Sequence, residues 1–91
     1  MSVSVRIPTP LRRVTNGQDK VSVDGATLNE IVLSLNAQFP GIKDRLCDEQ
    51  GQLRNFVNIY VNGEDVRFLD GLDTAMKTGD EISIVPAVAG G

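Results

Sequence analysis

Histidine and tryptophan are absent from this 91-residue chain, cysteine occurs once and tyrosine once. Each absence removes a class of chemistry. Without histidine there is no Ser–His–Asp relay and no imidazole base, and a zinc site loses its commonest nitrogen ligand. A single cysteine, Cys47, forms no internal disulfide. No apolar run approaches the roughly 20 residues a bilayer crossing needs. The start, Met1-Ser2-Val3-Ser4-Val5-Arg6, lacks the basic-then-apolar layout of a secretory signal. The expectation is a cytoplasmic protein that does not engage a membrane.

What is present suits one small domain. Apolar residues make up 41% and charged residues 23%, the balance of a folded soluble chain rather than a disordered one. The net charge of −3 is unevenly placed: residues 1–46 carry net +2 and residues 47–91 net −5. An acidic C-terminal half argues against nucleic acid as a partner, since phosphate binding needs the opposite sign. It also predicts that the C-terminus emerges from acidic surroundings and is steered towards a basic partner surface.

Val3, Val5 and Ile7 alternate with Ser2, Ser4 and Arg6, which reads as a half-buried strand ended by Pro8 and Pro10. Leu11 to Val14 reads as loop or the start of a strand. Thr15-Asn16-Gly17 is a turn, and Val21 and Val23 form a second strand paired antiparallel to the first. Thr27 and Glu30 fit a capping box. The helix they open puts Leu28, Ile31, Val32, Leu35 and Phe39 on one stripe, and Pro40-Gly41 stops it. Ile42 to Leu46 gives one more helical turn. Cys47 sits beside Leu46, Asp48 and Glu49 with no nearby cation expected to lower its pKa, so it reads as a packed thiol rather than a reactive one. Phe56 to Val61 is the clearest strand, and Asn62-Gly63 turns it into a second strand over residues 64–68. Leu72, Ala75 and Met76 are expected to tuck under the domain. Thr78-Gly79-Asp80 turns the chain into a last strand, with Ile82 and Ile84 inward and Ser83 and Val85 outward.

Two hairpins flanking one crossover helix, with the last strand placed centrally and parallel to the first, define an α+β fold. It is a ubiquitin-like β-grasp, a mixed sheet of four to five strands with one main helix on one face. Residues 1–86 form this domain and residues 87–91 a flexible tail. Pro86 ends the ladder, and Ala87-Val88-Ala89-Gly90-Gly91 offers only small residues and one valine. Two terminal glycines put the final carboxylate on a thin stem that fits a narrow channel. Parity along the last two long strands predicts an outward apolar patch of Tyr60 and Val85, with Phe68 beside it, as a docking surface next to the tail.

Three stretches resemble the ThiS/MoaD family of sulfur carriers: Phe56-Val57-Asn58-Ile59-Tyr60-Val61-Asn62-Gly63-Glu64-Asp65-Val66-Arg67, Gly79-Asp80-Glu81-Ile82-Ser83-Ile84-Val85-Pro86, and the terminal Gly90-Gly91. Val5-Arg6-Ile7-Pro8-Thr9 and Val85-Pro86-Ala87-Val88-Ala89-Gly90-Gly91 look most similar to the CysO branch, which delivers sulfur for cysteine synthesis. The resemblance implies a protein cosubstrate, not an enzyme. A ubiquitin-activating-type adenylyltransferase transfers AMP from ATP to the Gly91 carboxylate. A persulfide donor converts the adenylate to a thiocarboxylate, and an acceptor enzyme takes the sulfur, in the cysteine branch a pyridoxal-phosphate cysteine synthase. Gly90 and Ala89 thread the stem, and Val88 anchors it in the partner's channel. The carrier itself binds no cofactor and no metal. The chain already ends in Gly-Gly, so no trimming is expected. The alternatives are a molybdopterin synthase small subunit, a thiamin sulfur carrier, and a ubiquitin-like modifier joined through Gly91 to lysines.

Overall fold

Five strands form one sheet in the order β2-β1-β5-β3-β4. The computed structural model describes residues 2–54 and 57–86 of the chain. The strands are β1 (Ser2–Arg6), β2 (Lys20–Asp24), β3 (Val57–Val61), β4 (Glu64–Asp65) and β5 (Glu81–Pro86), with helices α1 (Leu28–Gln38) and α2 (Ile42–Leu46). β5 lies in the middle, parallel to β1 and antiparallel to β3, as the sequence predicts. β1 and β2 form the first antiparallel hairpin.

Period-two alternation sorts the faces. Val21, Val5, Ile82 and Val61 line up as successive cross-strand partners on the inner face, and all four are buried. The helical stripe Leu28, Ile31, Val32, Leu35 and Phe39 closes over that face and is buried along its whole length. At the start of α1 the Glu30 N–H donates to the Thr27 hydroxyl at 3.3 Å, while the Ala26 N–H donates to the Glu30 carboxylate at 3.2 Å. The box therefore closes on the residue before the cap. Gly25 is required just upstream, since a Cβ there would lie 2.9 Å from the Ile31 backbone nitrogen.

Of the loop and strand-start readings of Leu11 to Val14 the loop holds: Thr9–Leu11 is a 3₁₀ turn, followed by turns through Gly17. Two local expectations need correction. The strand expected over residues 64–68 stops after Asp65. The Asp65 carboxylate accepts from the Arg67 N–H at 2.9 Å and starts a 3₁₀ turn over Val66–Phe68, which buries Val66. Met76 is buried and Leu72 partly so, but Ala75 is exposed. Ala75 instead bridges Thr27, and Thr74 goes inside, its hydroxyl donating to the Gly71 carbonyl at 2.7 Å.

Candidate functional site: the end of the central strand

β5 carries the chain to its C-terminal residues, and its last pairings are Val85 with Asn58 and Pro86 with Val57 on β3. Gly91, Gly90, Ala89 and Val88, the predicted reacting and threading residues, lie outside the described residues, as does Phe56.

The outer face of the sheet carries the predicted docking residues. Val85 is 45% exposed and Tyr60 is half-buried. Tyr60 stands opposite Ser83, and Val85 opposite Asn58, so the two are diagonal neighbours on adjacent strands. Such neighbours lie about 7–8 Å apart, within reach of an aromatic ring. Phe68 is 87% exposed but sits on the 3₁₀ turn beyond the sheet's edge, beside the exposed Leu69, rather than on a strand face. The structure thus places Tyr60 and Val85 together and sets Phe68 apart from the strands.

Sequence reasoning missed Arg67. Its guanidinium donates to the Asn58 side-chain oxygen at 2.6 Å, to the Val57 carbonyl at 2.8 Å and to the Arg54 carbonyl at 2.9 Å. Val57 and Asn58 are the partners of Pro86 and Val85, so Arg67 braces the strand against which β5 ends. The only signal available was Asn58 as an outward amide two positions from Tyr60.

The other end of β5 is fixed by Asn62 and Asp80. Asn62 takes a left-handed φ of 51° in the hairpin turn. Its side chain donates to Asp80 at 3.0 Å and accepts from the Glu81 N–H at 3.0 Å. Asp80 also accepts from the Lys77 N–H at 2.8 Å. These bonds, the Asn62 contact foremost, hold the Asp80 carboxyl below its ordinary value. A lowered folded value means that the stabilisation is present above the unfolded carboxylate pKa of about 3.9 and fades as pH falls through the folded one. Asp80→Ala is expected to lower the melting temperature by a few degrees at neutral pH and to narrow its gap from the wild type in acid, checked by calorimetry across pH.

Cys47 is buried at the end of α2. Burial raises its thiol pKa; Lys43 and Arg54 pull it down more weakly. Two cations are therefore near the thiol in space, contrary to the sequence expectation, but desolvation outweighs them, and the packed reading stands.

A mixed sheet in this order with one main helix across a single face is the ubiquitin-like β-grasp. The whole arrangement, with its Asn-Gly hairpin, Gly-Asp-Glu entry and Gly-Gly end, matches the ThiS family over residues 5–91, and the chain belongs to that family. It is 54% identical to the sulfur carrier protein CysO of Mycobacterium tuberculosis over 93 residues, covering 100% of both chains. The CysO crystallised in a BexX/CysO complex from Amycolatopsis orientalis superposes with a TM-score of 0.92 at 49% identity, covering 98% of this chain and 99% of that one. Small archaeal modifier protein 3 of Haloferax volcanii is 43% identical over 68 residues, 75% of this chain and 73% of its own. Among the described residues no helix is long and apolar enough to cross a membrane.

Proposed function

We propose that this protein is a sulfur carrier that acts as a protein substrate, with Gly91 as its reacting group. The full-length 54% identity to CysO, Gly-Gly end included, carries the reading. A carboxylate is a poor acyl donor. Transfer of AMP from ATP releases pyrophosphate and turns the Gly91 carboxylate into an acyl-adenylate with a good leaving group. A persulfide then displaces AMP, and a thiol takes up its second sulfur as a disulfide, leaving a thiocarboxylate. ATP belongs to the activating adenylyltransferase. Gly90 and Ala89 thread the C-terminal stem into its channel, and Val88 anchors it. In the cysteine branch a pyridoxal-phosphate cysteine synthase would supply the electrophilic three-carbon acceptor for the thiocarboxylate sulfur. The Gly91 acyl group then shifts from that sulfur to the amino nitrogen, breaking the thioester and forming an amide, and a peptidase hydrolyses the amide to release cysteine. The cytoplasm is the matching compartment.

The test is pyrophosphate release. With its activating enzyme and ATP the intact chain releases pyrophosphate, and a chain lacking Gly91 releases none; equal release by both would overturn the reading.

Tyr60 and Val85 form the docking surface for the activating enzyme, with Phe68 as a second apolar contact at the edge. Val85→Asp is expected to weaken binding at least tenfold, by the loss of one buried apolar contact and the burial of a charge. Because Val85 is 45% exposed, its melting temperature stays within a few degrees of the wild type. A calorimetric binding titration beside a thermal melt reads both, and unfolding that accompanies lost binding would contradict the assignment.

The 43% identity to a small archaeal modifier supports a second reading, in which the activated Gly91 forms isopeptide bonds with lysines of other proteins. Blots of cell extract against the protein then show a ladder of conjugates.

A further inference from the structure

The parallel pairing of β1 with β5 brings the end of β1 to the same end of the sheet as the end of β5, with Arg6 opposite Ser83. Ser83 is three residues before Pro86, so strand geometry puts the Arg6 backbone within about 11 Å of the point where the tail begins. Lys20 is the direct cross-strand partner of Arg6 on β2, and both side chains are exposed. Arg12 joins them: Arg6, Ile7, Arg12, Asp19 and Lys20 line one cleft of about 140 Å³. Three cations thus share a small space with one carboxylate.

That cluster is unfavourable for the isolated domain. Like charges directly opposite on paired strands destabilise a sheet. It is also built rather than frayed. The Arg12 Nε donates to the Ile7 carbonyl at 3.2 Å, and its own carbonyl accepts the Gly17 N–H at 2.7 Å. The hydroxyl of buried Thr15 donates to the Gln18 carbonyl at 2.8 Å, closing the loop that carries Arg12 and Arg13. The chain as a whole is net −3, yet its central strand ends beside this basic corner. The cross-strand row Lys20, Arg6, Ser83, Tyr60, Asp65 therefore runs from positive to negative across the face that carries Val85.

We propose that the basic corner of Arg6, Arg12 and Lys20 docks against carboxylates on the activating adenylyltransferase, and so fixes the orientation in which the apolar Tyr60–Val85 face is presented. Fixed opposite charges steer encounter and suppress misoriented docking. They also relieve the repulsion between Arg6 and Lys20. Nucleic acid is the less favoured occupant, because three cations on a chain of net −3 make only a short basic patch for a repeating phosphate backbone. The inference rests on the sulfur-carrier reading for its partner.

The experiment compares two variants with the same net charge. Arg6→Ser combined with Lys20→Ser removes two positive charges at the corner; Lys77→Glu changes the charge equally beside the turn into β5, at the sheet's other end. Stopped-flow association with the activating adenylyltransferase is measured against salt, with a thermal melt of each variant. The corner variant is expected to associate about tenfold more slowly at low salt, to converge on the wild type at high salt, and to melt no lower than the wild type. Lys77→Glu is expected to stay within about twofold in rate. Equal slowing in both variants would assign the effect to net charge and overturn the corner, as would no slowing in either. Wild-type binding to a short DNA duplex that the corner variant loses would overturn it in favour of phosphate. A wild-type chain that the enzyme neither binds nor adenylates would overturn the carrier reading itself, an outcome distinct from normal adenylation at unchanged rates.

Discussion

A chain with one alanine appended after Gly91 is expected to form no thiocarboxylate under conditions that convert the unmodified chain completely. The added residue moves the carboxylate about 3.5 Å along the stem, and misplacement of that size costs two or more orders of magnitude at a reacting centre. Its methyl group also adds bulk where the chain itself ends in two glycines. Gly90→Val tests the stem rather than the end. Branching at Cβ removes the backbone freedom of glycine and widens the stem, so loading slows about a hundredfold or more while the domain melts as before. Both changes lie beyond β5, which ends at Pro86, so a folded chain that fails to load separates the tail's chemistry from the domain's stability.

Ile82→Ala is the second large effect. Ile82 is on the central strand with Val5 on one side and Val61 on the other, and it is 1% exposed. Removing its three outer carbons leaves a cavity that the flanking strands cannot close, at a cost of about 3–4 kcal/mol. A domain of this size has about 5–10 kcal/mol in all, so much of the protein is expected to be unfolded at 37 °C in urea concentrations the wild type tolerates. Denaturant titration reads it directly. A loss below about 1 kcal/mol would mean that the inner row does not carry the sheet.

The elements readable from sequence are those whose period repeats often enough to be unambiguous. The stripe of α1 and the alternation in β1, β2, β3 and β5 all appear as expected, and parity alone assigns Tyr60 and Val85 to the outer face. Residues 64–68 fail because five residues with apolar positions at 66 and 68 fit a strand as well as a tight turn. The Asp65 side chain decides the matter by capping the Arg67 N–H. Phe68 is then turned out beyond the sheet's edge.

Charge is arranged differently in space than along the chain. Counting by halves of the chain makes the C-terminus acidic, but the parallel pairing of β1 and β5 carries Arg6 from the first half to the end of the last strand. Linear charge is uninformative where distant segments pair. The same holds for Cys47, whose neighbour Arg54 is seven residues away in sequence but close in space, and for Arg67, whose partners at Arg54, Val57 and Asn58 lie nine to thirteen residues away and are brought to it by β3 and the Asp65 turn.

Intact-protein mass spectrometry tests the central claim most directly. After incubation with the activating adenylyltransferase, ATP and a persulfide donor, the protein is expected to gain the mass difference of one sulfur for one oxygen, with fragment ions placing it on Gly91. An unchanged mass while the enzyme adenylates a known family member under the same conditions, or a sulfur placed on Cys47 instead of Gly91, would contradict the account.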